Sequence, residues 1–554
     1  MTHLSRRRFG QLSLAALAAG CARTTGAPDL LIFGGPIYTG VAATPRVEAL
    51  RISEGRILFA GALDEARSGA RGVREIDLGG AAAFPGFTDA HVHLTGVGAQ
   101  AMLLDLVGVE SIAAMQQRLR DYASANPTGP INGRGWIETH WPERRFPTRA
   151  DLDAVVSDRP VVLERIDGHA IVANSAALTL GGIESGTPDP AGGRIERDAS
   201  GAATGMLIDN AASLVQSRLP APTSAMMREA LSRGAQLYAS RGWTGVCNMS
   251  TSGAEAQFFA DLAATDDLPL WANLYLTPDD SASVFERGSY VDDSGQVHVR
   301  GVKLYMDGAL GSRGAALLER YSDAPSDGLL VTSDEDLRAI LRRARERNVQ
   351  VATHAIGDRG NRLVLDAYRD TFADNAEALR AARWRIEHAQ VIAPEDLPRF
   401  AAMGVIASMQ PSHAISDLHF APSRLGAGRL GGTYAWKALL DSGAILAAGS
   451  DAPVERGDPL IEFYAAAHRH DLNGFAGPDW HPEHTLSRAQ ALAMLTTGGA
   501  YSAFEEGERG VLEVGKRADV SVFSVDLLEA PPEAIPTAQA VLTVCGGRIT
   551  HSTL

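Results

Sequence analysis

Apolar residues along this chain keep two different rhythms. From Leu30 they come in short runs broken by glycine-rich turns: DLLIFGGPIYTG, VEALRISEGRILFAG and VREIDLGGAAAFPGF. Short runs bounded by turn residues read as strands. The C-terminal stretches GVLEVGKRADVSVFSVD and AQAVLTVCGGRITHS repeat the pattern. Strands at both ends and a different middle predict one composite β-sandwich domain from residues 27–84 and 505–554. Chain termini often lie close together, so this joining is easy.

The middle alternates buried-looking strands with amphipathic stretches. Strands are predicted at 245–249, 270–276, 299–306, 349–354, 384–388, 404–410 and 444–451, with helices at 334–347, 394–403 and 433–443 among them. The run ending at His91 is an eighth strand. Repeated βα units imply a parallel sheet, and eight of them a closed barrel. The fold class is therefore α/β, a (β/α)8 TIM barrel over residues 85–504, with the composite domain beside it. Residues from about 97 to 240 read as an insertion after strand one, holding one further strand-like run, RPVVLERI at 159–166.

The first 21 residues do not read as fold material. Arg6, Arg7 and Arg8 precede a short apolar stretch and then LAAGC. That is an export signal pattern, too short to span a bilayer. SRRRF resembles a twin-arginine signal and LAAGC a lipobox, with Cys21 the lipidated residue; plain cleavage nearby is the alternative. The expected location is periplasmic, or held at a membrane by lipid through Cys21 alone.

Charge and cysteine content narrow the chemistry. A net charge of −15 disfavours a nucleic-acid partner, which needs a basic face. Three cysteines, at 21, 247 and 545, make neither a disulfide framework nor a Cys-rich zinc module. A metal site must then use His, Asp, Glu or Lys.

Such residues occur at predicted strand ends. His91 and His93 follow strand one, and in an extended segment i and i+2 share a side. Lys303 lies near the end of strand four, His354 closes strand five, His388 strand six and Asp451 strand eight. Barrel strand ends converge on one face, so all six can meet. Imidazole and carboxylate suit zinc, one or two ions, and also accept iron or manganese. A charged Lys303 cannot coordinate; carboxylated to a carbamate, it can bridge two ions. A metal-bound hydroxide would attack a carbonyl, with Asp451 as general acid and base.

The stretches PGFTDAHVHL, VKLYMDGALGSR, HAIGDRGN, RIEHAQ, GSDAPV and GKRADVSVFS resemble the amidohydrolase superfamily, most closely its branch related to N-substituted formamide deformylase. GRGWIETHW and RIDGHAIVANSAAL are similar to that branch's own signatures. The resemblance implies hydrolysis of amide-like bonds, usually with zinc. It implies that His91, His93 and Asp451 hold the more buried ion, that His354 and His388 hold the other, and that Lys303 bridges them.

For the substrate side, Trp136 and Trp141 are expected either to form an aromatic wall or to fill the insertion's own core. His169, ahead of a predicted helix, could bind a substrate carbonyl, and Arg313 a substrate carboxylate or a neighbouring acid. Asp358 is expected to accept from a ligand imidazole. The favoured activity is hydrolysis of a C–N bond outside a ring, in an amide, N-acyl or N-formyl group of a small molecule. Cyclic amides, imines and aryl esters are the alternative substrates. A phosphate-ester hydrolase and an exported binding protein with an inactive centre are the other rivals. Oligomeric state is open.

Overall fold

The structure is a computed structural model. It describes residues 29–68, 72–139, 141–165, 168, 170–190, 192–477 and 480–554. The predicted export signal with Cys21, and also His169, lie outside the described residues. His93–Leu237 form one compact unit, and the described residues on either side of that segment form the other.

Eight parallel strands build the barrel: β1 (Phe87–Val92), β2 (Trp243–Thr251), β3 (Trp271–Leu276), β4 (Val297–Tyr305), β5 (Gln350–Ala355), β6 (Arg385–His388), β7 (Ile406–Met409) and β8 (Leu446–Ala448). Each pairs with the next in chain order. These are the eight stretches that the apolar pattern selects. Their near-continuous burial, as in β1 where every residue is buried, is what a sheet covered on both faces requires. The ends differ. β8 stops at Ala448 rather than 451, because Ser450 and Asp451 leave the sheet and Asp451 turns to φ 56°. There the ring is drawn shut: the Asp451 N–H donates to the His91 carbonyl at 2.7 Å. Gly449 allows this approach, since a Cβ on it would lie 2.4 Å from the His91 nitrogen.

Helices on the outside follow ordinary capping rules. Asp334–Glu346 begins at Ser333, whose side chain accepts from the Asp336 N–H. Acidic residues fill its first turn and Arg343 and Arg345 its last, matching the helix dipole. Leu337, Leu341 and Ala344 recur on the buried face.

Both chain ends share one eight-stranded sheet. The C-terminal strand Val520–Phe523 pairs antiparallel with Ala82–Pro85 from the N-terminal part. Leu30, Ile32, Leu50, Ile52, Val520, Val522, Leu542 and Val544 alternate into a common core. Leu30–Tyr38 pairs with Arg74–Asp77 in its first half and meets Ala82–Pro85 at Ile37. Gly34, at φ 88°, makes the change of partner possible.

The insertion corrects the expectation of a single strand. Among the described residues it carries six, in the order Gly193–Arg197, Ala203–Asp209, Ala170–Ala173, Val161–Arg165, Ile131–Trp136, Leu104–Asp105. Segments such as INGRGW and GRIER are too polar and glycine-rich to stand out as strands by pattern. The segment after residue 169 is also not one helix: Ala170–Ala173 is a strand, and a helix starts at Ser175 with Asn174 as its cap. Among the described residues no helix is long and apolar enough to cross a membrane.

Candidate metal centre

Donor atoms of His91, His388 and Asp451 lie within 4.8 Å of one another, and all three residues are buried. Each comes from a C-terminal strand end or the residues just past it. His91 is the fifth residue of β1, His388 the last of β6, and Asp451 follows β8. His388 and Asp451 have positive φ, 75° and 56°. Non-glycine residues held there cluster at functional sites.

The ring orientations are set from behind. His91 Nδ1 lies 2.6 Å from Glu387 Oε2, so Nδ1 carries the proton and Nε2 the lone pair. That Nε2 is 3.3 Å from Asp451 Oδ1 and 3.4 Å from Lys303 Nζ. His388 Nδ1 lies 2.7 Å from Gln410 Oε1, which fixes the same tautomer. The Gln410 amide is oriented in turn, because its Nε2 donates to the Ser408 carbonyl. This backing of imidazoles by acceptors is what metal-ligating histidines require.

Glu387 is itself fully buried. Burial opposes its charge, but the Arg385 guanidinium and the bond from His91 hold its pKa well below the usual carboxylate range. Asp89, two residues before His91, accepts from the His91 and Ser450 N–H groups at 3.0 Å each and from the Tyr238 hydroxyl at 3.1 Å. Desolvation raises its pKa to about 6.

His354 stands with its ring centroid 4.5 Å from that of His388 and 5.5 Å from that of Tyr305. Burial, reinforced by Lys303, pushes its pKa down to about 3, and burial with His354 holds His388 well below its ordinary value. Both imidazoles are therefore neutral, the form that binds a cation. Lys303 is 1% exposed, and burial lowers its pKa to about 8 against the pull of Glu387 and Asp451. His93 is half-buried directly after β1, at the N-cap of Leu94–Ala101.

The donor set fits a divalent ion: neutral nitrogens with their far sides satisfied, and a carboxylate beside them. A separate group, His481, Glu483 and His484, also brings donors within 4.8 Å. It is more exposed, and His481 and Glu483 already bond each other at 2.6 Å.

Three expected substrate or supporting residues have other partners. Trp136 is fully buried in the insertion's core with Leu104, Met115 and Trp141, and its indole N–H donates to the Leu163 carbonyl at 2.8 Å. It is a core residue of the insertion and not an aromatic wall. Arg313 makes a two-pronged pair with Asp323, at 3.0 and 2.9 Å, so the neighbouring-acid alternative is the one realised. Asp358 accepts from the Leu318 and Arg359 backbone instead of an imidazole. The carboxylate facing His354 is Asp307, 3.6 Å from its Nε2, and it organises the loop by accepting from Ile356, Gly357 and Ala316.

Sequence reasoning passed over Glu387, Gln410, Asp89 and Asp307. Glu387 had a signal, an acidic residue two after Arg385 in the short strand RIEH and just before its strand-end histidine. Gln410 had none, because a glutamine at a strand end has many ordinary uses.

Comparison with known proteins adds four findings. The model of a family described as the amidohydrolase family matches residues 74–551. YtcJ of Bacillus subtilis, whose name places it among the amidohydrolases, is 34% identical over 532 residues, 94% of this chain and 98% of that one. The N-substituted formamide deformylase of Arthrobacter pascens is 27% identical over 544 residues, 94% of this chain and 97% of the enzyme. Among solved structures, an uncharacterized metal-dependent hydrolase from Pyrococcus horikoshii superposes with a TM-score of 0.74 at 28% identity, covering 91% of this chain and 99% of that one.

Proposed function

This chain belongs to the amidohydrolase family, and on that premise we propose that it hydrolyses a C–N bond outside a ring, in a small amide, N-acyl or N-formyl substrate. The observation that carries the reading is the buried His91, His388 and Asp451 group with its donors converging. Full-length similarity to the Arthrobacter pascens deformylase supports the N-formyl and N-acyl class within it.

His91, His388 and Asp451, joined by His93 and His354, would hold the ion or ions, with zinc the expected metal and iron or manganese also suited to these donors. A divalent ion bound there supplies Lewis acidity, lowering the pKa of water and drawing charge from a carbonyl. The chain's own residues do the rest. Glu387 and Gln410 keep the His91 and His388 lone pairs pointing to one centre. Asp451, 8% exposed, is placed to take a proton from water and return it to the leaving nitrogen. Lys303 would be carboxylated. An ammonium 3.4 Å from His91 Nε2 competes for the very lone pair a metal needs. Burial supports the change, since a pKa of about 8 makes the free amine accessible near neutrality.

The N-terminal pattern supports export, with attachment to a membrane through lipid on Cys21.

The test is a panel of N-formyl amines, N-acyl amines, cyclic amides and aryl esters with zinc-loaded chain. We expect turnover of the N-formyl or N-acyl compounds, its loss on chelation and its return with zinc. Zinc-independent turnover would refute the metal reading. Turnover confined to cyclic amides or aryl esters would refute the bond class and keep the centre.

A further inference from the structure

A fifth histidine stands beside the centre and has no part in the ligand set. His413 lies in Pro411–Asp417, the short helix directly after β7, and is 7% exposed. Its ring is nearly parallel to that of His388, 6.0 Å away and inclined by 18°.

Its tautomer can be worked out from its neighbours. His413 Nδ1 lies 3.4 Å from Gln390 Nε2. The Gln390 amide cannot be turned around, because the same Nε2 donates to Asp417 Oδ2 at 3.3 Å and lies 3.1 Å from the Tyr434 hydroxyl oxygen. The Tyr434 hydroxyl in turn donates to Asp417. The Gln390 amino group shares its two hydrogens among three neighbours and offers no acceptor, so His413 Nδ1 faces it as an acceptor and the ring proton sits on Nε2. That Nε2 is buried and has no hydrogen-bond partner among the described residues. The nearest acid, Asp451 Oδ2, is 3.7 Å away, beyond hydrogen-bond range. A protonated Nε2 also has no lone pair for a metal. A buried donor left unmade beside the general acid and base is a donor kept for something bound there.

We propose that His413 donates from Nε2 to the carbonyl oxygen of the scissile bond; this rests on the metal-dependent amide hydrolase reading above. As the carbonyl carbon becomes tetrahedral its oxygen gains negative charge, and the bond from His413 strengthens. The contribution is therefore to the transition state and falls on kcat more than on KM. Gln390, Asp417 and Tyr434 are positioning residues that hold the ring and its tautomer.

The test compares zinc-loaded full-length chain with His413→Ala, His413→Phe and His413→Gln. Two probes are titrated calorimetrically: methylphosphonate, a tetrahedral anion with several oxygens, and azide, which needs only the metal. We expect methylphosphonate to bind about tenfold more weakly to the Ala and Phe chains, with part of the loss restored in Gln. Azide affinity and zinc content should be unchanged. With a substrate from the panel, His413→Ala should lower kcat on the order of 100-fold with KM nearly constant. Phe fills the same space, so it decides the matter if the Ala chain loses zinc. Equal methylphosphonate affinity in the wild-type and Phe chains would overturn the proposal, as would a wild-type chain that binds azide but no methylphosphonate. A wild-type chain that holds no zinc would instead refute the metal reading on which the proposal stands.

Discussion

Glu387 and Gln410 each back one imidazole, but they do so at different cost. Glu387 also neutralises Arg385, which is fully buried and bonded to the Ala90 carbonyl and the Ser408 hydroxyl as well. Glu387→Gln leaves a buried guanidinium short of its counter-charge. That is expected to destabilise the fold by about 3–5 kcal/mol, read from urea unfolding. Gln410→Leu removes a neutral acceptor only. It should lower zinc affinity by roughly 10- to 100-fold in a chelator competition, with unfolding shifted far less. Unchanged zinc affinity in Gln410→Leu would mean that the His388 tautomer is held by something else. Trp136 gives a contrast. Trp136→Ala should cost about 3–5 kcal/mol in the insertion and leave zinc content as it was. The difference between these residues is invisible along the chain. Each is a polar or aromatic residue at a strand, and only the partner decides whether it serves the ligands or the core.

At the level of elements, the barrel strands were legible because a parallel sheet buries both faces and so writes long apolar runs. The insertion's strands were not. Gly193–Arg197 buries one residue of five and reads as loop. Helix starts were more transparent, since Ser333 before Asp334 is a local signal that needs no tertiary partner. Gly449 is an element-level constraint of the opposite kind. Nothing in AAGSD says that β8 must press against β1, yet a Cβ there would sit 2.7 Å from that of His91. Gly449→Val is expected to push the two strands apart, destabilising the barrel and weakening zinc binding together. Retention of both wild-type stability and zinc affinity would show that this seam yields more easily than its spacing suggests.

On the scale of the whole molecule, the chain carries buried charge at a second place, where Glu505 is ringed by Arg509, Arg517, Arg300 and His298. Burial lowers the His298 pKa from 6.5 to about 4, outweighing the nearby carboxylate. Glu505 goes from 4.5 to about 2, because the arginines overcome its own desolvation. Both folded values are depressed. The His298 contribution is therefore complete above pH 6.5 and is lost as pH falls toward 4; that of Glu505 is complete above 4.5 and is lost toward 2. Between pH 7.5 and 5, His298 alone should remove on the order of 2 kcal/mol. Urea titrations at both pH values, on wild type and His298→Gln, read this as a smaller pH-dependent loss in the variant. Equal losses would show that His298 titrates alike in the folded and unfolded chain.

The amino-acid sequence by itself determined the repeating βα rhythm, the strand pairs at both ends and the strand-end placement of His91, His388 and Asp451. These are set by periodicity, which is a property of neighbours along the chain. The tertiary structure alone decided that Glu387 and Gln410 stand behind the ligands, that Asp307 rather than Asp358 faces His354, and that His413 keeps an unspent donor beside Asp451. Those are contacts between strands and loops far apart in sequence. Their geometry depends on how the barrel closes, and no local pattern carries it.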